Sequence, residues 1–194
     1  MKKQHKSNES PIVKNSWQYP KHRLEIQKQL LDEQNNLCAY TETFLAGRSD
    51  KKEIEHFNPT LKPTDKDGYE NWFLVKAQWN NEKGSTPRWL EHQPILHPTD
   101  KGFEDRIIYL EGEYICHPDD DEAENLIKFL RLNEEALTVE RKNYIERRRE
   151  SITRRSVDAK TYFDELLLRE PNRVYFIRAI EEEFKIKINF PESI

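Results

Sequence analysis

Ile54-Glu55-His56-Phe57-Asn58-Pro59 places a carboxylate directly before a histidine in a short run of strand type, which Asn58-Pro59 stops. Fifteen residues after His56, Asn71 opens a second apolar, β-prone run, Trp72 to Val75. Nine residues after Asn71 comes Asn80, with Lys83 three residues further on. Residues 60–68, between the two runs, are polar, carry Pro63 and Gly68, and read as a loop. Asn is favoured at helix starts, so a short helix is predicted to begin at Asn80 with Lys83 on the same face. The order is strand, loop, strand, helix. The residue types are those of a hydrolytic site: Glu55 and Asn80 offer oxygen ligands of the kind Mg²⁺ takes, and His56 can accept a proton from water near neutral pH. The Asn71 amide can bond the backbone of the intervening loop and hold His56 in place. Asn81 competes with Asn80 for the ligand role, and the nine-residue spacing and the i+3 lysine favour Asn80.

Glu55-His56, Asn71 and Asn80-x-x-Lys83 resemble the HNH endonuclease motif, whose fold is ββα-metal. Trp17-Gln18-Tyr19-Pro20, Leu37-Cys38-Ala39-Tyr40-Thr41-Glu42, Pro94-Ile95-Leu96-His97-Pro98 and Leu130-Arg131-Leu132-Asn133 are similar to segments of the Septu PtuB-like and retron-associated HNH nucleases. The resemblance covers roughly residues 17 to 150. It implies His56 as general base, Asn71 as the residue holding the loop, Glu55 and Asn80 as metal ligands, and Lys83 at the phosphate. Mg²⁺ is the implied ion, with Mn²⁺ or Ni²⁺ as substitutes. The implied setting is bacterial anti-phage defence, with DNA as substrate and an ATPase as partner protein. Glu42 closes the similar segment and is either a carboxylate near the metal or half of a structural ion pair. One departure is plain. Many of these nucleases hold a structural zinc with two cysteine pairs, whereas Thr41, Lys76 and Trp79 occupy the expected places here and the chain has only Cys38 and Cys116. No structural zinc is expected, and packing by Trp72, Phe73 and Trp79 is expected to replace it.

Composition sets outer bounds. The chain has 194 residues, 35% charged and 35% hydrophobic, enough apolar material for a core under a heavily solvated surface. No run is long enough to span a membrane, residues 1–10 lack the apolar centre of a secretory signal, and two isolated cysteines give no disulfide framework. A cytoplasmic protein is the simplest expectation. The net charge of −4 counts against indiscriminate nucleic-acid binding but leaves room for local basic patches or a partner that delivers substrate.

The expected class is α+β: a ββα-metal core with flanking helices, a β-hairpin and a helical C-terminal part. Residues 1–16 are expected to be flexible, 17–120 to form the nuclease core, and 121–194 to pack on it as mainly helix. A helix is predicted over about 22–35 with Leu24, Leu30 and Leu31 inward. A charged turn is predicted over 47–52, and residues 84–87 are expected to end the short helix. A hairpin is predicted around Glu111-Gly112. Helices are predicted over about 122–131, from 134 to near Arg155, over 156–170 and over 172–184, and a strand at 184–190. Arg147, Arg148, Arg149, Arg154 and Arg155 could contact a nucleic-acid backbone or form a solvated helix face with Glu146 and Glu150. His92, His97 and His117 are further candidate ligands, disfavoured because each sits beside a turn signal. Two alternatives to a DNA endonuclease stand: an RNA-cleaving toxin on the same scaffold, and a non-catalytic nucleic-acid-binding or interaction protein. The sequence leaves the oligomeric state open.

Overall fold

The computed structural model describes residues 1–45, 47, 51–62, 64–83 and 86–191, apart from the side chains of 82 and 83. The class is mixed α and β with two small antiparallel sheets. In the first sheet, β1 (Lys52–His56) pairs with β2 (Trp72–Lys76), setting Glu55 opposite Phe73 and His56 opposite Trp72. A short 3-10 turn, Tyr69–Asn71, delivers the chain into β2. Helix α3 (Ala77–Lys83) follows β2 directly and packs on both strands. The predicted helix therefore starts three residues earlier than expected, with the Ala77 N–H bonded to the Lys51 carbonyl. Asn80 is its fourth residue and not its cap. The helix α4 (Thr86–Glu91) comes next. Gly84 and Ser85 between them, and residues 48–50 of the predicted charged turn, lie outside the described residues.

Ahead of the sheet, α1 (Pro11–Lys14) and α2 (Arg23–Glu33) close one side, and α2 packs against β1 and β2. Its inward face carries Ile26 and Leu30, four residues apart. Leu24, expected inside, is 76% exposed because it falls on the opposite side of that stripe. After α5 (Phe103–Arg106), β3 (Ile108–Leu110) and β4 (Glu113–Ile115) form the predicted hairpin. Glu111 and Gly112 both take positive φ, 45° and 91°, the mirror-image turn that matches strand twist. A Cβ at Gly112 would meet the Lys142 side chain at 2.7 Å, a second reason for glycine there.

The C-terminal part is helical. Helix α6 (Asp121–Phe129) is capped by the Asp120 carboxylate, which accepts from the Ala123 N–H, and it carries acids in its first turn and Lys128 in its last. Helix α7 (Glu135–Arg155) buries a stripe, Leu137, Thr138, Arg141, Tyr144, Ile145 and Arg148, at helical spacing. Helix α8 (Ala159–Arg169) is capped by Asp158. Helix α9 (Ile177–Phe184) is shorter than predicted, with a separate 3-10 turn at Pro171–Arg173 before it. The strand predicted over 184–190 does not form: Lys185 turns left-handed at φ 54°, and the alternating residues up to 190 are in no strand. Ile188 still reaches the core.

Residues 1–16, expected to be flexible, are instead seated in the protein. Met1 and Ile12 are buried, the Gln4 N–H bonds the Pro98 carbonyl, and the Lys2 ammonium joins Glu104 and Glu181. Core residues run from Met1 to Ile188 in one cluster, in which Phe57, just past β1, meets Trp89 of α4 and Phe129 of α6 edge to face.

Lys6 shows what this seating costs in charge. Its ammonium donates to the Trp72 carbonyl and lies 4.1 Å from the Tyr69 ring centre and 4.6 Å from that of Phe73. Burial lowers its pKa to about 7, against the opposing pull of Glu33 and Glu70. Between about 7 and the ordinary lysine value of 10.5, the unfolded chain binds more protons than the folded one. Stability is therefore expected to rise with pH across that window, and Lys6→Met should flatten the rise. Melting temperatures of both proteins from pH 6 to 10 check this, and equal slopes would count against a buried ammonium.

Candidate active site

His56 ends β1 and is 5% exposed. Its Nδ1 lies 2.8 Å from an Asp67 carboxylate oxygen, and the Tyr19 ring meets it edge-on with centres 4.8 Å apart. Burial lowers the imidazole pKa below its ordinary value, and the Asp67 hydrogen bond opposes that shift. The ring is therefore neutral at neutral pH, and the Asp67 contact assigns the proton to Nδ1.

Asp67 is held in turn. The Asn71 Nδ2 donates to the other Asp67 oxygen at 2.8 Å and to the Asn58 carbonyl at 3.1 Å, while the Asn71 Oδ1 accepts from the Asn58 N–H at 2.7 Å. One buried amide thus ties both ends of the loop between β1 and β2 and positions the carboxylate that orients His56. The loop-holding role expected of Asn71 has its physical basis in these three bonds. Asp67 was not foreseen: it lies among Asp65, Lys66 and Gly68 in a polar loop, where nothing local separates it from Asp65.

The candidate metal ligands are arranged differently. Glu55 is 4% exposed, and strand alternation sends it to the face opposite His56. That face also carries Glu53, whose Oε2 accepts from the Asn80 Nδ2 at 2.8 Å. So α3 covers the carboxylate side of β1, and Asn80 is engaged by Glu53, two residues before Glu55. Glu53 was missed, although its i−2 relation to Glu55 is a strand signal that puts both on one face. Asn80 is half-buried and Asn81 exposed. Lys83 lies three residues beyond Asn80 in α3, and its side chain lies outside the described residues. Among the described residues, no three His, Cys, Asp or Glu side chains gather as a metal site. Metal binding here would have to draw on the Asn80 amide as well as on carboxylates.

Glu42 belongs elsewhere. It accepts from the Lys2 N–H at 2.8 Å, the Arg178 N–H at 3.2 Å and the Tyr114 hydroxyl at 3.4 Å, and the Met1 ammonium lies 3.9 Å away. Of its two candidate roles, these partners are those of the structural ion pair. The turn around it holds the Thr41 and Thr43 hydroxyls 2.8 Å apart, Thr41 standing where the resemblance expects a cysteine, and the Trp79 indole donates to the Leu130 carbonyl at 2.9 Å.

The arginine set divides. Arg148 is buried, donates to the Arg173 carbonyl at 3.0 Å and lies over the Tyr144 ring, so it braces α7 against the chain beyond α8 and cannot contact a backbone outside. Arg155 is paired with Glu165, and Arg149 with Glu183. Arg147 and Arg154 remain exposed, seven residues apart on one side of α7. His92 and His97 bond the Arg88 carbonyl and the Thr99 hydroxyl, each at 2.8 Å. No helix among the described residues is long and apolar enough to cross a membrane.

Comparison with protein-family models and with curated proteins finds no match to this chain.

Proposed function

We propose that the chain is a metal-dependent endonuclease of HNH type that hydrolyses DNA phosphodiester bonds. The observation that carries this reading is the chain of contacts from Asn71 through Asp67 to His56, set in an antiparallel strand pair followed directly by a helix. A histidine held neutral with Nδ1 engaged by a carboxylate suits proton abstraction at Nε2. Asp67 steadies the imidazolium that forms, and Asn71 keeps Asp67 from swinging away.

The donor chemistry fits a hard cation, since Glu55, Glu53 and Asn80 present only oxygen and amide groups. Glu55 and the Asn80 Oδ1 would hold the ion, and Glu53, by taking the Asn80 Nδ2, would turn that oxygen toward it. When bound, a divalent cation supplies positive charge against the charge that builds on the phosphate and its leaving oxygen. Lys83 is assigned to the phosphate. The resemblance extends the proposal to anti-phage defence with an ATPase partner.

Digestion of supercoiled plasmid with Mg²⁺, Mn²⁺ or EDTA, beside a parallel RNA digest, tests the reading. Nicking or linearisation that EDTA abolishes is expected. RNA cleavage alone would transfer the site to the toxin alternative, and no cleavage of either would remove the nuclease assignment.

The neighbouring asparagines give a sharper check. Asn80→Ala is expected to abolish metal-dependent cleavage. Asn81→Ala, an exposed change inside α3, should shift stability by no more than about 0.5 kcal/mol and leave cleavage near wild type. Metal titration of both variants decides, and a dead Asn81→Ala with an active Asn80→Ala would move the motif by one residue.

A further inference from the structure

A groove of about 700 Å³, within the range of sites that hold small molecules or single nucleotides, is lined in part by Tyr19, Asp67 and Trp72, the residues that contact His56. Trp17, Tyr19 and Trp72 line it, as does a wall carrying Lys62, Asp65 and Asp67. Trp17 and Tyr19 are half-buried, so each keeps part of its ring surface toward the groove. Tyr19 touches both His56, at 4.8 Å between ring centres, and Trp72, at 6.4 Å. Trp72 is 4% exposed, and its indole N–H has no acceptor among the described residues. Lys62 puts a cation on the rim close enough to His56 to lower its pKa. Asp67, on the same wall, has both carboxylate oxygens engaged by His56 and Asn71.

We propose that this groove takes an unpaired base next to the cleaved phosphate, stacked on Trp17 and Tyr19, with Lys62 at the backbone; the proposal rests on the nuclease reading for its place beside the reacting bond. Aromatic rings at a groove with one rim cation are how proteins hold single strands, because every base has a face to stack and the sugar-phosphate needs only charge. A paired base has both faces covered by its neighbours in the helix and cannot stack in the same way. The preferred substrate is accordingly a strand that is single, gapped or looped at the cut. The groove reads stacking and charge, so oligothymidylate and oligouridylate share its chemistry, and the two probes separate the sugars.

Binding is measured by anisotropy of fluorescein-labelled twelve-residue oligothymidylate and oligouridylate, in EDTA at fixed salt, so that cleavage plays no part. The full chain is expected to bind, Trp17→Ala to bind at least about tenfold more weakly, and Trp17→Phe to recover most of the loss because it keeps a ring. Far-ultraviolet circular dichroism and melting confirm that the variants are folded, and Lys62→Ala, at an exposed site, provides a second change that should weaken binding and reduce its salt dependence. Equal affinity of the wild type, Trp17→Ala and Lys62→Ala overturns the groove proposal, even if plasmid cleavage is observed. Trp17-dependent binding without any cleavage keeps the groove and overturns the nuclease reading. Absence of both overturns both.

Discussion

His56→Ala is expected to lower metal-dependent plasmid cleavage by at least about a hundredfold, the usual scale for loss of a general base. The same change removes the partner of a buried Asp67 oxygen and the ring that Tyr19 meets edge-on, so it should also cost about 1–3 kcal/mol of stability. Cleavage is therefore compared well below the melting temperature of the variant. Asp67→Ala separates positioning from chemistry. It leaves the imidazole present but without its Nδ1 acceptor, and a loss on the order of tenfold to a hundredfold is expected, smaller than that of His56→Ala. Near-normal cleavage by His56→Ala would withdraw the base assignment. A loss in Asp67→Ala equal to that in His56→Ala would give the carboxylate a direct part in the reaction.

Glu42→Ala is expected to cost about 3–5 kcal/mol, from several buried donors left without an acceptor, enough to unfold much of a marginally stable domain. The carboxylate is 3% exposed and gathers the Lys2 N–H, the Arg178 N–H, the Tyr114 hydroxyl and the Met1 ammonium. Removing it leaves the Lys2 N–H, the Arg178 N–H and the Tyr114 hydroxyl without this acceptor in the interior, beside a terminal amine that burial already holds well below its ordinary pKa, and the N-terminal segment loses its anchor. Glu42→Gln keeps acceptor oxygen in place and should cost less. Urea unfolding followed by circular dichroism measures both. The fraction that stays folded should show the wild-type requirement for metal in cleavage, since Glu42 has its partners away from His56 and Asn80. A stable Glu42→Ala protein with a weakened metal requirement would return Glu42 to the metal site.

Much of the fold was legible because local rules decide it. The alternation and turn residues around Glu111-Gly112 specify a hairpin, Asp120 and Asp158 cap the helices that follow them, and the two β-prone runs before Asn80 become β1 and β2. Where prediction failed, the deciding contact lay far away in sequence. Leu24 and Ile26 are equally apolar, and only the direction of α2 over the β1–β2 sheet chose Ile26. The alternation at 184–190 has the period of a strand, but Lys185 turns left-handed and none of the described residues that follow is in a strand.

The site divides on the same line. Glu55, His56, Asn71, Asn80 and Lys83 could be singled out as candidates because their spacing runs along two strands and one helix, and spacing is a property of the chain itself. The direction in which each side chain acts was not. Asp67 became the partner of His56 only when Asn71 folded the loop back on β1, and Glu53 became the partner of Asn80 only when α3 lay across the carboxylate face. Arg148 looked like its neighbours Arg147 and Arg149, yet the stripe that α7 buries passes through it and not through them. Glu42 was placed by residues 1, 114 and 178. A sequence determines which charges a chain carries and at what intervals. Which of them leave water, and against which partner, is set by how distant segments pack, because the cost of burying a charge is met only by a partner that folding brings within reach.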